Sequence, residues 1–250
     1  YLMRFFVSYS DSFLKQKALS LSKNLNLELF DQLKIDDIAS FSNDYFLICT
    51  SERLILKKGL KKNLKPIFSN FDYWATNYND ELLKKALKGL PKQFSCLDVT
   101  AGFGKDSLEI SKLNHCRSIT LLEKASWMYS LLEDGLENVY SGEAKQLTKK
   151  FSLRNMDNLT FLNSSKEKYD LIYIDPMFYG VQKSKAKKHM QALRDLSSDE
   201  TQKGLLGESL NRAKFRVIVK RHKHMNYLDD EVPTRSIKGK VVRYDIYNII

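Results

Sequence analysis

The segment Asp170-Leu-Ile-Tyr-Ile-Asp175-Pro176-Met177-Phe178 is an apolar run ending in an acid, a proline, a methionine and an aromatic ring. These residue types suit one reaction. An exocyclic amine of a nucleobase has its lone pair delocalised into the ring, so it must be held in line to attack an electrophilic methyl. A carboxylate at Asp175 can accept a hydrogen bond from that amine and favour the positive charge growing on nitrogen. The carbonyl of residue 176 or 177 can accept the second hydrogen. Phe178 can stack on the base face, and Pro176 fixes the backbone that aims these groups. No strong general base is needed, because the methylated ammonium is itself acidic. Taken alone, the tetrapeptide also reads as a strand ending at a turn before Gly180.

A second constellation, Asp98-Val-Thr-Ala-Gly102-Phe-Gly104-Lys105-Asp106, suits a ligand rather than a reaction. Glycines at the end of a strand let backbone approach a bound molecule. Open α/β sheets take ligands at such strand ends. A dinucleotide site would carry a third glycine for close helix packing, where this chain has Ser107. That departure points away from a nicotinamide cofactor and toward S-adenosylmethionine, which needs no pyrophosphate cradle. Glu123, 19 residues beyond Gly104, is placed to bind ribose hydroxyls in either case. The two features together imply an adenosine-containing cofactor. The Asp175 segment, close to the Asp/Asn-Pro-Pro-Tyr/Phe of amino-methyltransferases, selects S-adenosylmethionine.

The formal net charge is +11, from 41 Lys+Arg against 30 Asp+Glu. Such an excess favours a polyanionic partner, although a lysine-rich proteome gives the same number. Two clusters localise it. Lys183, Lys185, Lys187 and Lys188 follow the Asp175 segment, and Lys220-Arg221 end a later apolar run. Both are expected to neutralise phosphates; a solvated helix face is the plainer alternative for the first. Three cysteines without CxxC spacing fit a reducing compartment with neither disulfide nor zinc. His222-Lys223-His224 reads as a basic run, so no metal is expected. No apolar run approaches the roughly 20 residues of a membrane span, so no membrane partner is expected, and the expected location is cytoplasmic.

These residues need elements to hold them. Short apolar strands alternate with helical segments from Phe94 onward. Strands are predicted at Ser95–Val99, Ser118–Leu122, Leu159–Leu162, Tyr169–Ile174 and Arg216–Val219, and helices at Lys105–Leu113 and Ala125–Val139. This pattern predicts an α/β, mostly parallel doubly wound sheet. A closing strand over Val241–Ile250 follows another strand through a loop alone, which predicts an antiparallel edge. The first ninety residues read as a small α+β domain. It has a helix over Phe13–Leu29, strands at Asp44–Cys49 and Arg53–Leu56, and a helix from Asp80, a candidate N-cap, to Leu87. The domain boundaries are thus 1–90 and 91–250.

With these blocks in order, Leu97 to Tyr247 resembles the ribosomal small-subunit methyltransferase J family. The resemblance is carried by Asp98–Asp106, Leu122-Glu123-Lys124, Leu131–Leu136, Tyr173–Phe178 with Lys183-Ser184, Val217–Arg221 and Arg243–Tyr247. It implies a Rossmann-like class I methyltransferase fold and transfer from S-adenosylmethionine to the N2 amine of a guanine in 16S ribosomal RNA. The partner would be that RNA or the small ribosomal subunit. The resemblance also implies cofactor contacts at Lys105, Asp106, Glu123, Lys124, Ser164, Ser165 and Asp175. Lys105 and Lys124 stand where the family has arginines, and His222 where it has proline. An amino-methyltransferase of tRNA or DNA, a non-catalytic RNA-binding protein and a small-molecule amine methyltransferase remain alternatives; the charge weighs against the last.

Overall fold

A computed structural model describes residues 3–31, 41, 43–59, 65–176, 196 and 203–249. They group into two compact units, Tyr1–Asn70 with Ser126–Val139, and Phe71–Ala125 with Tyr140–Ile250.

The first unit holds a four-stranded sheet of β1 (Phe5–Tyr9), β2 (Glu28–Leu29), β3 (Tyr45–Cys49) and β4 (Leu54–Lys58), in the order β2-β1-β3-β4. β3 pairs antiparallel with β4 and parallel with β1. The helix predicted over Phe13–Leu29 is shorter: α1 spans Lys15–Leu25. Asn26 takes a left-handed φ of 51° and stops it, freeing Glu28 and Leu29 to pair with β1. Helix α5 (Ser126–Glu137) also belongs to this unit; its buried Asp134 accepts from the backbone N–H of Leu54 at 2.8 Å.

The second unit is built on a seven-stranded sheet. Its strands are β5 (Phe94–Asp98), β6 (Cys116–Glu123), β7 (Phe151–Asn155), β8 (Tyr169–Ile174), β9 (Ala213–His222), β10 (Arg235–Lys238) and β11 (Val242–Asn248), in the order β10-β11-β9-β8-β5-β6-β7. The five strands from β9 to β7 run parallel, and β11 and β10 are antiparallel. The expected mostly parallel sheet with an antiparallel edge is what forms. β5 and β8 are nearly continuous apolar runs because helices cover parallel strands on both faces. The helices are α2 (Phe71–Asn77), α3 (Glu81–Ala86), α4 (Lys105–Ser111), α6 (Gly142–Thr148), α7 (Asn158–Ser164) and α8 (Leu205–Arg212). Asp80 caps α3 as expected, accepting from the N–H groups of Leu82 and Leu83 at 3.0 and 2.9 Å.

One expected strand is a helix. Leu159–Leu162 lies inside α7, and the strand is Phe151–Asn155 just before it. The segment Phe-Ser-Leu-Arg-Asn is an exposed edge strand, too polar to stand out as apolar. Leu159, Phe161 and Leu162 look strand-like in isolation, but Asp157 accepts from the Thr160 N–H at 2.9 Å and starts a helix there.

The chain runs from β5 outward to β6 and β7, then crosses to β8 on the other side of β5. The strand order reverses between β5 and β8, and ligands of such sheets bind beyond the strand ends at that point.

Candidate active site

Asp98 ends β5 at this reversal, and Asp175 follows β8 beside it. The two ends are joined: the backbone N–H of Asp175 donates to Thr100 Oγ1 at 2.7 Å, and that of Val99 to the Tyr173 carbonyl at 3.1 Å.

On the β5–β6 side the glycine turn is built as its residues require. Gly102 and Gly104 have φ of 53° and 77°, a region in which a side chain would be strained. The Gly102 N–H donates to Glu123 Oε2 at 3.0 Å, and the Ala125 N–H to Oε1 at 2.9 Å. Burial pushes the Glu123 carboxyl up against these backbone donors, which lower it. Asp98 is buried and accepts from the Thr100 N–H at 3.0 Å and from the Ser107 hydroxyl. Burial is again the larger effect and raises its pKa to about 7. Ser107, the departure from the dinucleotide pattern, is thus a buried partner for Asp98.

On the β8–β9 side the arrangement is ionic. Asp106, in the first turn of α4, accepts from Tyr78 Oη at 3.0 Å, Tyr173 Oη at 2.7 Å and Lys220 Nζ at 2.6 Å. Lys220 Nζ also donates to Asp175 at 2.8 Å. Burial raises the Asp106 carboxyl, but Lys220 and the two phenols outweigh it and hold it below its ordinary value. Burial pushes Asp175 up to about 6, against the lowering pull of Lys220 and with the push of Asp106. Tyr244, opposite Lys220 on β11, donates to Asp80 at 2.8 Å. Lys105 Nζ sits 3.7 Å from the centre of the Tyr78 ring, within cation–π range.

The expected residues fall into three groups. Asp98, Gly102, Gly104, Lys105, Asp106, Glu123, Asp175 and the buried Pro176 lie on the strand ends and turns around the β5–β8 reversal. Lys124, just past β6, pairs with Asp157 at 3.4 Å. Ser164 and Ser165 end α7, a helix of seven residues that rises about 10 Å away from the end of β7. The resemblance implies them as cofactor contacts, and with Leu159–Leu162 helical they stand at a helix C-terminus rather than a strand end. The residues that β7 delivers to that edge are Met156, Asp157 and Asn158. Asn158 is buried and donates to the Val99 carbonyl at 3.3 Å. Met177, Phe178, Lys183, Lys185, Lys187 and Lys188 lie outside the described residues. Lys220, expected on a phosphate, is turned inward. Arg221 donates twice to the Asn226 carbonyl, at 3.1 and 2.9 Å.

Sequence reasoning missed Thr100, Tyr78, Tyr173 and Tyr244. Tyr173 sits in an apolar strand and Tyr244 in one that alternates apolar with charged residues, and both rings read as core, so nothing marked their hydroxyls. Tyr78 lies in a stretch that matched no motif.

The donor set fits S-adenosylmethionine. Left-handed glycines admit close approach, and the Glu123 carboxylate keeps acceptor capacity beyond its backbone N–H donors. Among the described residues no cluster of His, Cys, Asp or Glu could hold a metal, and no helix is long and apolar enough to cross a membrane.

Comparison with known proteins agrees with this geometry. Residues 28–249 match a family model described as "Putative SAM-dependent methyltransferase". The ribosomal RNA small subunit methyltransferase J of Buchnera aphidicola subsp. Schizaphis graminum is 38% identical over 86% of this chain and 89% of its own. The protein of the same name from Legionella pneumophila (strain Lens) is 34% identical over 96% and 95%. The crystal structure of a SAM-dependent methyltransferase from Neisseria gonorrhoeae superposes with a TM-score of 0.71 at 20% identity, over 97% of this chain and 95% of the other, and supports the fold. The chain is accordingly an S-adenosylmethionine-dependent methyltransferase, and it belongs to the ribosomal RNA small subunit methyltransferase J family.

Proposed function

We propose that the chain methylates the exocyclic N2 amine of a guanine in 16S ribosomal RNA, with Asp175 as the acceptor that holds the amine. The observation that carries this reading is the Asp175 carboxylate at the β5–β8 reversal, fixed by Thr100 at its backbone and Lys220 at its side chain. The relatives' name supplies the ribosomal substrate.

Glu123 would take the ribose hydroxyls. The glycine turn would lie along the cofactor, with Lys105 and Asp106 toward its amino-acid end. Asp157 and Asn158, rather than Ser164 and Ser165, would meet the adenine edge. When bound, S-adenosylmethionine supplies a methyl group on sulfonium sulfur, which keeps the bonding pair as the amine nitrogen takes the carbon. Asp175 accepts a hydrogen bond from the amine, directs its lone pair, and stabilises the positive charge that nitrogen acquires. The surplus proton then leaves to Asp175 or to water. Pro176 holds the following backbone, and Phe178 covers the base. Lys183, Lys185, Lys187, Lys188 and Arg221 bind phosphates of the RNA or of the assembled small subunit. A ribosomal substrate makes the location cytoplasmic.

The test is labelled methyl transfer to small subunits from a strain lacking this gene, with the modified base mapped. Label at N2 of one 16S guanine is expected. Label in tRNA or DNA instead, or none, would overturn the reading.

A further inference from the structure

Lys220 was expected among the phosphate-binding cations, yet its side chain keeps only 18% of its exposure, and its ammonium is spent on two carboxylates. Burying an ammonium is costly unless it is paired and hydrogen-bonded. Burying two carboxylates against each other is also costly, because like charges in a dry space force one of them to keep its proton. Each cost offsets the other here. The two acids serve different elements: Asp106 opens the helix behind the glycine turn, and Asp175 ends the strand that faces the amine. One cation on a third element, β9, spans them.

Resting on the reading of Asp175 as the amine's acceptor, we infer that Lys220 is a positioning residue for methyl transfer, holding Asp175 as an aimed carboxylate by cancelling the charge of Asp106. The arrangement explains why a cation is useful at this place and a neutral donor is not. A neutral donor could aim Asp175 but would leave Asp106 repelling it. The other titratable groups facing the pair do not replace Lys220. Tyr173 on β8, Tyr244 on β11 and Tyr78 before α3 are pushed upward by burial and stay neutral. Asp98 at the end of β5 is another acid, and Asp80 receives the Tyr244 hydroxyl.

Because Asp98 and Asp175 titrate in overlapping ranges, the test must resolve the single carboxyl. Lys220→Met keeps length and removes charge. In the full-length protein labelled with carbon-13 at aspartate carboxyls, the Asp175 signal is assigned by its loss in Asp175→Asn and followed against pH. In Lys220→Met its midpoint is expected to rise by about one unit or more, and turnover at neutral pH with saturating S-adenosylmethionine to fall at least about twofold. In Lys220→Met with Asp106→Asn the repelling charge is gone, and the midpoint is expected back within about half a unit of wild type. Lys220→Arg keeps the charge and is expected to stay near wild type, which carries the test with the double variant should Lys220→Met fail to fold. An unmoved midpoint in Lys220→Met, a midpoint that stays high in the double variant, or one displaced in Lys220→Arg would overturn the inference. The titration uses no RNA, so its result is separate from whether wild type modifies a 16S guanine.

Discussion

The two sides of the β5–β8 reversal hold buried and half-buried carboxylates by different means. On the cofactor side, Glu123 and Asp98 are satisfied by backbone N–H groups and a serine hydroxyl. On the other side, Asp175 toward the amine and Asp106 toward the cofactor's amino-acid end share an ammonium. Dipoles suit a carboxylate whose task is to accept hydrogen bonds from a neutral ribose or to shape a turn, since nothing in that task changes charge. A cation suits a carboxylate that must be ionised when an amine nitrogen turns positive. The comparison predicts that damage on one side changes affinity or stability and damage on the other changes rate.

The largest effect is expected from Asp175→Ala. Methyl transfer should fall by about a hundredfold or more, because the stabilising group for developing charge is gone. The melting temperature should hold within a few degrees, because Lys220 keeps Asp106 as partner; rapid quench and calorimetry measure the two. Next comes the lysine cluster. Alanine at Lys183, Lys185, Lys187 and Lys188 together should lower the slope of log affinity against log salt by about 3 for single-stranded RNA, as filter binding would register. An unchanged slope would remove this cluster from the interface.

On the dipole side the expected effects are smaller and of another kind. Glu123→Ala should weaken S-adenosylmethionine binding about tenfold, a loss of one or two hydrogen bonds to a charged group, with turnover at saturation changed only a few-fold. Calorimetric titration separates the two parameters. A rate loss at saturation matching that of Asp175→Ala would erase the distinction between the sides. Ser107→Ala should cost about 1–3 kcal/mol of stability by stripping a donor from a buried carboxylate, read by denaturant unfolding, with cofactor affinity little altered.

Much of this was legible in the sequence, unevenly. The glycine turn, Glu123 and the Asp175 segment were found because each couples a rare residue pattern to a strand end. The parallel sheet with its antiparallel edge followed from apolar runs at regular intervals. What failed did so for local reasons. Phe151–Asn155 is a polar edge strand with little buried surface to announce it, so its place went to the apolar residues of α7. The capping position of Asp157 is the signal that marks a helix there. The inward turn of Lys220 had no local signal. It depends on Asp106, which lies 114 residues away, and on the strand order that brings β9 beside β8.

The most direct measurement is turnover of the wild-type enzyme at saturating S-adenosylmethionine from pH 5 to pH 8. Only ionised Asp175 opposes a full negative charge to the nitrogen as it turns positive, and its carboxyl stands at about 6. The ionised fraction is present above that value and lost below it. Turnover should therefore be level near neutrality and fall about tenfold per unit below pH 6. A rate that stays level down to pH 5 would contradict an Asp175 carboxylate as the group that holds the amine.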